Sequence, residues 1–169
     1  MAGNWTNWVG NQSFKYASYA QPSSEKEVVK AVKKALEKKQ NIRVMATGHS
    51  FTPIVETDGL LLDLEKISGI KAVDPYKQRA FVGSGTPISA LGDPLWEKGL
   101  ALRNQGDIDS QRIAGAISTG THGSGMKNHN LANQVISLDI ITANGELRHI
   151  DLTNPAFSAL VVGLGLGGI

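Results

Sequence analysis

IRVMATGHSF, residues 42–51, joins a short apolar run to a small polar loop. The apolar part predicts a short buried strand over residues 42–46. Open α/β sheets bind their ligands at the carboxyl ends of the strands, where residues 47–51 would lie. We therefore expect a binding site in this loop, while a lone histidine such as His49 is more often a hydrogen-bonded structural residue.

A helix before this strand and a second strand after it complete a small parallel unit. Ser24 and Glu27 have the spacing of a capping box. The apolar residues that follow recur on one helical face and are Val28, Val29, Val32 and Leu36. The near-continuous apolar run over residues 60–64 predicts a strand covered on both faces. We assign residues 1–71 to this first lobe.

Antiparallel hairpins dominate the rest of the chain. One is predicted over residues 72–82, and the strongest hairpin signal lies at residues 135–152. Asn144-Gly145 stands in the middle of the second hairpin and favours a type I′ turn, in which both residues have positive φ. The fold class is therefore α+β, a small parallel α/β lobe followed by an antiparallel-sheet lobe with helices over residues 72–169.

Short helices connect these hairpins. Thr86-Pro87 can start a helix that ends near Gly99, and residues 153–155 start a last short helix. Residues 106–125 are predicted to be mostly loop. Because the ending at Ile169 is apolar and rich in glycine, we expect the second lobe to be truncated inside a structural element.

Composition excludes several classes of protein. A chain of 169 residues with 41% hydrophobic residues, 19% charged residues and a net charge of +2 suits one domain. The lysines of residues 26–39 lie mostly on the polar face of the predicted helix, and aromatic residues are only 6%, so nucleic acid is not an expected partner. No apolar run reaches the ~20 residues of a membrane span. Since no secretory leader is visible either, we expect a cytoplasmic protein.

Metal and hydrolase chemistry are not expected. The sequence has no cysteine, and its four histidines lack the spacing of metal ligands. It has no G-x-S-x-G elbow. Residues 163–168 match G-x-G-x-x-G but lack the following helix and acidic residue, so they predict a tight turn or close packing. Residues 120–127 place Met126 before the lysine and are not a P-loop.

The glycine-rich segment IAGAISTGTHGSG, residues 113–125, is the second candidate site. Ile113 and Ile117 are four residues apart, which predicts one helical turn anchored in the core. Its free N–H groups and the hydroxyls of Thr119 and Thr121 would then face outward and suit a phosphate or pyrophosphate. The alternative is a glycine-rich loop packed against a neighbouring element, and the residues alone leave both open.

The two candidate sites, taken in order, resemble a known family. Residues 46–51, then Gly106-Asp107-Ile108-Asp109, then residues 115–123 are similar to the FAD-binding (PCMH-type) half of the vanillyl-alcohol oxidase superfamily. Within it, the chain is most similar to the sugar-1,4-lactone oxidases, such as L-gulonolactone and D-arabinonolactone oxidase, and to the alditol and xylitol oxidases. Residues 7–11 match as well. The resemblance covers residues 4–169 and implies a two-lobed FAD-binding domain.

The resemblance also implies roles for single residues. His49 stands where these oxidases join an imidazole nitrogen covalently to the 8α-methyl carbon of FAD (8α-histidyl linkage), and without a cysteine at most one covalent bond forms. The implied FAD-binding residues are Ala46, Thr47, Gly48, His49, Ser50, Phe51, Gly106, Asp107, Ile113, Gly115, Ala116, Thr119, Thr121, His122, Gly123, Gly168 and Ile169.

The implied reaction is hydride transfer from a CH–OH carbon of a sugar lactone or polyol to FAD, with O2 as the acceptor. Residues 106–109 favour the lactone branch over the alditol branch, and Arg112 replaces a hydroxyl residue of the alditol type. Glycine at Gly106, a gate position beside the flavin, would leave room for O2 and so favours an oxidase. The substrate-binding domain and its base are absent from this chain, which therefore carries no catalytic residue.

Three other functions stay open at this point. A non-catalytic FAD-binding module would hold flavin without turnover. An enzyme of the enolpyruvyl-sugar reductase type would hold FAD without a covalent histidine. A protein that binds nucleotide phosphates but no flavin is the fourth reading.

Overall fold

One three-stranded parallel sheet and three antiparallel hairpins contain the strands of the computed structural model, which describes residues 2–169. The strands are β1 (Gly3–Thr6), β2 (Ser13–Tyr16), β3 (Ser18–Ala20), β4 (Ile42–Met45), β5 (Leu60–Asp63), β6 (Ile70–Asp74), β7 (Arg79–Val82), β8 (Ser137–Ile141) and β9 (Leu147–Asp151). The α-helices are α1 (Glu25–Glu37), α2 (Gly92–Trp96), α3 (Ile113–Ser118) and α4 (Phe157–Val161), with 3-10 turns over Ile88–Ala90 and Leu131–Gln134.

The parallel sheet has the order β3-β5-β4, so the most apolar strand is central. All four residues of β5 are buried, as the apolar run predicted, and both neighbours pair with it in parallel. The prediction of a buried strand at residues 42–46 is only half correct. β4 forms, but its residues are partly exposed because it is an edge strand and Val44 and Met45 border a cavity.

Helix α1 covers one face of this sheet. Its N-cap is Ser24, as predicted, and the Ser24 hydroxyl accepts from the Glu27 N–H at 3.3 Å. The Glu27 carboxylate accepts from Ser23, one residue earlier than a capping box requires, at 2.7 Å. Two hydrogen bonds, from the backbone N–H and from the hydroxyl of Ser23, lower the pKa of Glu27. Leu36 is half exposed, contrary to the prediction, because it lies beside the buried face of the helix.

Both predicted hairpins of the second part form. β6 pairs with β7, with a bulge between Ile70 and Ala72, and β8 pairs with β9. The type I′ turn is wrong, because Gly145 has φ +78° whereas Asn144 is not among the residues with positive φ. The Thr142 N–H donates to the Glu146 carbonyl at 2.9 Å, so the loop has three residues, and a left-handed glycine at its end is usual for that length.

The helix predicted from Thr86-Pro87 to Gly99 is interrupted. A 3-10 turn over Ile88–Ala90 precedes α2, and Pro94 stands in the first turn of α2, where its missing N–H costs least. The last helix, α4, begins at Phe157, slightly later than predicted. The Asn154 side chain accepts from the Ala156 N–H at 2.9 Å just before it.

The glycine-rich ending makes the tight turn that the sequence predicted. Leu164 and Gly165 have φ of +53° and +70°. Beyond the turn, Ile169 pairs with Ile141 through two backbone hydrogen bonds of 2.7 and 2.9 Å. Both isoleucines pack with α1 and β5, so the ending joins the same core as the parallel sheet.

The N-terminal hairpin of β1 and β2, and strand β3, were not predicted. The Trp5 and Phe14 rings pack across the hairpin with their centroids 5.1 Å apart. In the part of the chain that the structure describes, no helix combines the length and apolar character needed to cross a membrane.

Candidate functional site

A cavity of about 1290 Å³ lies between the parallel sheet and the second part of the chain. Ligand sites commonly enclose roughly 300–1,000 Å³, so this one can take a ligand larger than a typical small molecule. Its walls come from the loop after β4, the hairpin of β6 and β7, helix α3 and the C-terminal residues 167–169. Both predicted sites therefore border the same space.

Many of the predicted FAD-binding residues line this cavity. They are Ala46, Thr47, Gly48, His49, Ser50, Ile113, Gly115, Ala116, Thr119, Gly168 and Ile169. The others do not line it: Phe51, Gly106, Asp107, Thr121, His122 and Gly123. For the residues of this second set, contact with the cofactor stays a prediction.

The loop over residues 46–51, which we call the histidine loop, is held by its carbonyl groups. The turn between β1 and β2, residues 7–12, is called the N-terminal turn and supplies the donors. Four consecutive carbonyls of the histidine loop accept hydrogen bonds from the N-terminal turn. Trp8 donates twice, from its backbone N–H to the Gly48 carbonyl and from Nε1 to the His49 carbonyl, both at 3.3 Å. The Ser50 carbonyl accepts from Asn7 Nδ2 (3.0 Å), and the Phe51 carbonyl accepts from Asn11 Nδ2 (3.2 Å) and Gln12 Nε2 (3.0 Å).

The N–H groups of the same four residues are left for another partner. Within residues 2–169, the N–H groups of residues 48–51 donate to no backbone or side-chain acceptor. Gly48 has φ +71°, a conformation that favours glycine, and this allows the sharp turn at the strand end. Successive unpaired N–H groups form an anion-binding concavity. The histidine loop therefore keeps four successive N–H groups without an acceptor in residues 2–169.

The His49 side chain is fixed by two contacts. Its Nε2 lies 3.0 Å from Ser110 Oγ, on the segment that precedes α3. Its ring lies beside the Trp8 indole, with centroids 5.2 Å apart and planes inclined by 36°. Nδ1 has no hydrogen-bond partner among the described residues. The imidazole is thus held in one orientation with one nitrogen uncommitted.

Helix α3 differs from the prediction for the glycine-rich segment. The turn forms, but the N–H groups of Ile113 and Ala114 are not free, because they donate to the carbonyls of Thr86 (2.8 Å) and Ser84 (3.2 Å). The Thr119 hydroxyl donates back to the Gly115 carbonyl at 3.0 Å. This wall of the cavity therefore offers small side chains rather than a row of donors.

The two walls approach each other closely at Gly115. A Cβ atom at Gly115 would lie 3.1 Å from the Ala46 Cβ, which is tighter than ordinary contact. Ala116 beside it is fully buried. The approach of α3 to the strand end therefore leaves room for small residues only.

A separate cluster outside the cavity contains Gly106 and residues 121–123. Gly106 is buried, and a Cβ there would lie 3.0 Å from Thr121 Cγ2. Thr121 Oγ1 accepts from Gln111 Nε2 at 3.3 Å, and His122 Nδ1 lies 2.9 Å from the Gly123 carbonyl. The predicted outward direction of the Thr121 hydroxyl is therefore wrong, since it bonds within the protein.

An ion pair ties the glycine-rich segment to the parallel sheet. Arg112, the N-cap residue of α3, places Nη1 2.5 Å from Asp63 Oδ1 and Nη2 3.2 Å from Glu65 Oε2. The Asp63 Oδ2 atom accepts from the Tyr19 hydroxyl (2.8 Å) and Gln21 Nε2 (3.0 Å). Asp63 is only 3% exposed, so its carboxylate is compensated inside the protein.

These contacts shift two pKa values in opposite directions. Burial alone would raise the pKa of Asp63, but hydrogen bonds from Tyr19, the Glu65 N–H, Gln21 and Arg112 outweigh it and lower the pKa. Burial, then the hydrogen bond to Asp63 and its charge, raise the pKa of Tyr19 to about 12. The role of Arg112 is thus to anchor α3, which accounts for the charged residue at this position.

Trp8 and Ser110 lie at the site but were not predicted there from the residues. Both act through side-chain contacts over 41 and 61 positions of sequence, which leave no local pattern. Among residues 2–169, no group of three or more potential metal ligands is brought together.

Comparison with known proteins supplies the family. Residues 16–151 match the model of a family described as FAD binding domain. That span includes the histidine loop, Gly106, helix α3 and the ion pair of Asp63 with Arg112.

Several curated proteins are similar over most of the chain. L-gulono-1,4-lactone dehydrogenase of Mycobacterium tuberculosis is 37% identical over 147 residues, covering 87% of this chain and 34% of that protein. D-arabinono-1,4-lactone oxidase of Kluyveromyces lactis is 36% identical, covering 96% and 32%. L-gulonolactone oxidase of Bos taurus is 33% identical, covering 96% and 38%. The chain thus spans about a third of the length of these relatives.

Solved structures share the fold. 6-Hydroxy-D-nicotine oxidase from Arthrobacter nicotinovorans matches with a TM-score of 0.77 and 24% identity, over 89% of this chain and 34% of that one. The glucose dehydrogenase Phl p 4 matches with a TM-score of 0.74 and 22% identity, over 86% and 31%. At these identities the likeness concerns the fold alone, and it confirms the predicted fold class.

Proposed function

Because the chain belongs to the FAD binding domain family, we propose that it forms the FAD-binding part of an oxidoreductase acting on sugar 1,4-lactones. The names of its relatives support a lactone rather than a polyol as substrate. Since the chain spans about a third of those proteins, the lactone oxidation belongs to the whole enzyme. For these 169 residues we propose FAD binding without turnover, with the base and the sugar contacts outside them.

The observation that carries this proposal is the histidine loop at the edge of the cavity. The N-terminal turn binds its carbonyls, and its N–H groups at residues 48–51 have no acceptor in residues 2–169. The pyrophosphate of FAD is an anion that accepts hydrogen bonds, so it fits this donor set. Small residues on the facing wall, Gly115 and Ala116, suit the close approach of a flat ring system. We propose that the lobes over residues 1–71 and 72–169 hold FAD between them.

We further propose that His49 carries FAD covalently. With Nε2 next to Ser110, Nδ1 is the nitrogen available to bond the 8α-carbon. One C–N bond forms, one C–H and one N–H bond break, and both hydrogens leave as protons. The electron pair of the C–H bond reduces the flavin, and O2 reoxidises it with release of peroxide.

FAD, when bound, supplies a hydride acceptor for a carbon that carries a hydroxyl group. The role of this chain is to hold FAD and to control the access of O2 to it. Gly106 is buried beside Thr121, and a Cβ atom at Gly106 would lie 3.0 Å from Thr121 Cγ2. Gly106 does not line the cavity, so our proposal of an oxidase rather than a dehydrogenase rests on its match to the family's gate position.

Absorbance spectroscopy of the purified chain after incubation with FAD and gel filtration tests the proposal. We expect a flavin spectrum at one FAD per chain and no peroxide with L-gulono-1,4-lactone, D-arabinono-1,4-lactone or xylitol. A chain that stays colourless would overturn FAD binding. Peroxide from this chain with either lactone would overturn the assignment of the base and sugar contacts to other residues.

A second candidate is an enzyme of the same fold that binds FAD without a covalent bond. The contact of His49 Nε2 with Ser110 Oγ favours it, because a hydrogen-bonded histidine can be purely structural. The two functions differ in one property. Acid precipitation releases all flavin from a non-covalent protein and none from a covalent one.

A further inference from the structure

The N-terminal turn contains a tryptophan whose contacts are concentrated on the histidine loop. Trp8 is 58% exposed, so its burial contributes little to the core. Its backbone N–H donates to the Gly48 carbonyl, its indole N–H to the His49 carbonyl, and its ring lies against His49 and Phe51. The contacts of Trp8 thus serve the histidine loop rather than the core.

The other tryptophan of the hairpin shows the contrast. Trp5 packs on Phe14 across the strands, and its ring lies where a side chain at Gly48 would clash, 2.9 Å from that Cβ position. Trp5 thus supports the backbone of the hairpin and of the loop. Trp8 instead contacts the histidine loop, and it meets both the backbone carbonyl and the imidazole of His49.

We propose that Trp8 is a positioning residue that fixes the His49 imidazole for attachment of FAD. The ring contact limits rotation of the imidazole, and the indole N–H holds the same residue by its carbonyl. Ser110 then engages Nε2, so Nδ1 is left toward the reacting carbon. The inference rests on the proposed covalent role of His49 and adds a residue that does not line the cavity. Its effect is on the rate of bond formation, since a nucleophile held in one orientation reacts faster.

The test compares the rate of covalent attachment with the affinity for FAD. Chains free of flavin are mixed with FAD, and acid-stable flavin is followed with time for wild type, Trp8→Phe and Trp8→Ala. We expect Trp8→Ala to slow attachment by about tenfold or more, with Trp8→Phe between it and wild type because the ring contact survives. In a His49→Ala background, Trp8→Ala removes the bond to the His49 carbonyl, and it should weaken FAD binding by a smaller factor than it slows attachment. Trp96→Ala, which removes a tryptophan 76% exposed on α2, is the matched control.

The outcomes separate this inference from the proposed function. Attachment by Trp8→Ala at the wild-type rate would overturn the positioning role, and so would a slower rate matched by an equal loss of FAD affinity. If wild type itself attaches no FAD, the covalent role of His49 fails. NMR of the flavin-free chain then tests whether Trp8 positions the His49 imidazole. The His49 Cε1–H resonance should then move in Trp8→Ala and stay in place in Trp96→Ala. An unmoved resonance in Trp8→Ala would overturn the inference.

Discussion

The two walls of the cavity are both built from small residues, yet they use their backbone in opposite ways. The histidine loop gives its carbonyls at residues 48–51 to the N-terminal turn and keeps its N–H groups free. The first two N–H groups of helix α3 donate hydrogen bonds to the carbonyls of Thr86 and Ser84. One wall therefore keeps N–H groups without an acceptor, and the other brings small residues into close approach.

This difference shows what glycine-rich composition does and does not determine. It predicts close backbone approach, which occurs at Gly48 and at Gly115. Glycine content does not determine which backbone groups stay free. Partners far away in sequence bind the carbonyls of the histidine loop and the N–H groups of α3. Each wall is therefore disturbed by a different class of substitution.

Removing the anchor of α3 is expected to have the largest effect on stability. Arg112→Met leaves Asp63 buried with fewer partners, and breaking a buried ion pair costs about 3–5 kcal/mol. The control is Arg148→Met, which breaks an exposed pair with Glu146 and should lower the free energy of unfolding far less than Arg112→Met. Urea unfolding of both variants measures the difference. Equal losses in the two variants would contradict the anchoring role.

Gly48→Ala tests the histidine loop and comes second. A left-handed conformation costs an L-residue about 1–2 kcal/mol, and the new Cβ would lie 2.9 Å from the Trp5 ring. Gly69→Ala has the same kind of conformation at φ +91° with open space around it, so it measures the backbone cost alone. We expect Gly48→Ala to lose more unfolding free energy than Gly69→Ala and to bind FAD more weakly. The same loss in both variants would show that Trp5 does not restrict this position.

Gly115→Ala narrows the gap between the walls and should change stability little. Alanine gains about 1 kcal/mol of helix propensity, which crowding against Ala46 offsets. Gly92→Ala in α2 is the control, because nothing lies within 4 Å of its Cβ position. Its free energy of unfolding should rise, since no crowding offsets the helix propensity of alanine. Isothermal titration with FAD should show weaker binding only for Gly115→Ala. Unchanged affinity would mean that this close approach lies away from the cofactor.

The smallest expected effect concerns alkaline pH. The pKa of Tyr19 is raised to about 12, above the ordinary value of about 10 that applies in the unfolded chain. Its contribution to stability is therefore fully present below about pH 10 and is lost as the pH rises towards about 12. Urea midpoints over this range should fall less steeply for Tyr19→Phe than for wild type. The Tyr76→Phe control, at a fully exposed site, should keep the wild-type slope.

Local patterns predicted the elements whose determinants lie within a few residues. The apolar run of β5, the Ser24 cap and both hairpins of the second part are examples. The sequence also predicted a binding site in the histidine loop, but not the contacts that hold this loop. The N-terminal turn binds that loop over about 40 positions, through Asn, Trp and Gln side chains that have no periodicity to detect. For the same reason the partners of Ile113 and Ala114 were missed.

The intact mass of the acid-denatured chain after incubation with FAD tests the central claim, that the histidine loop holds FAD through His49. We expect wild type to gain the mass of one FAD, on a peptide that contains His49, and His49→Ala to gain none while it still binds FAD before denaturation. An unmodified wild-type chain that had bound FAD, or covalent flavin on His49→Ala, would contradict the account.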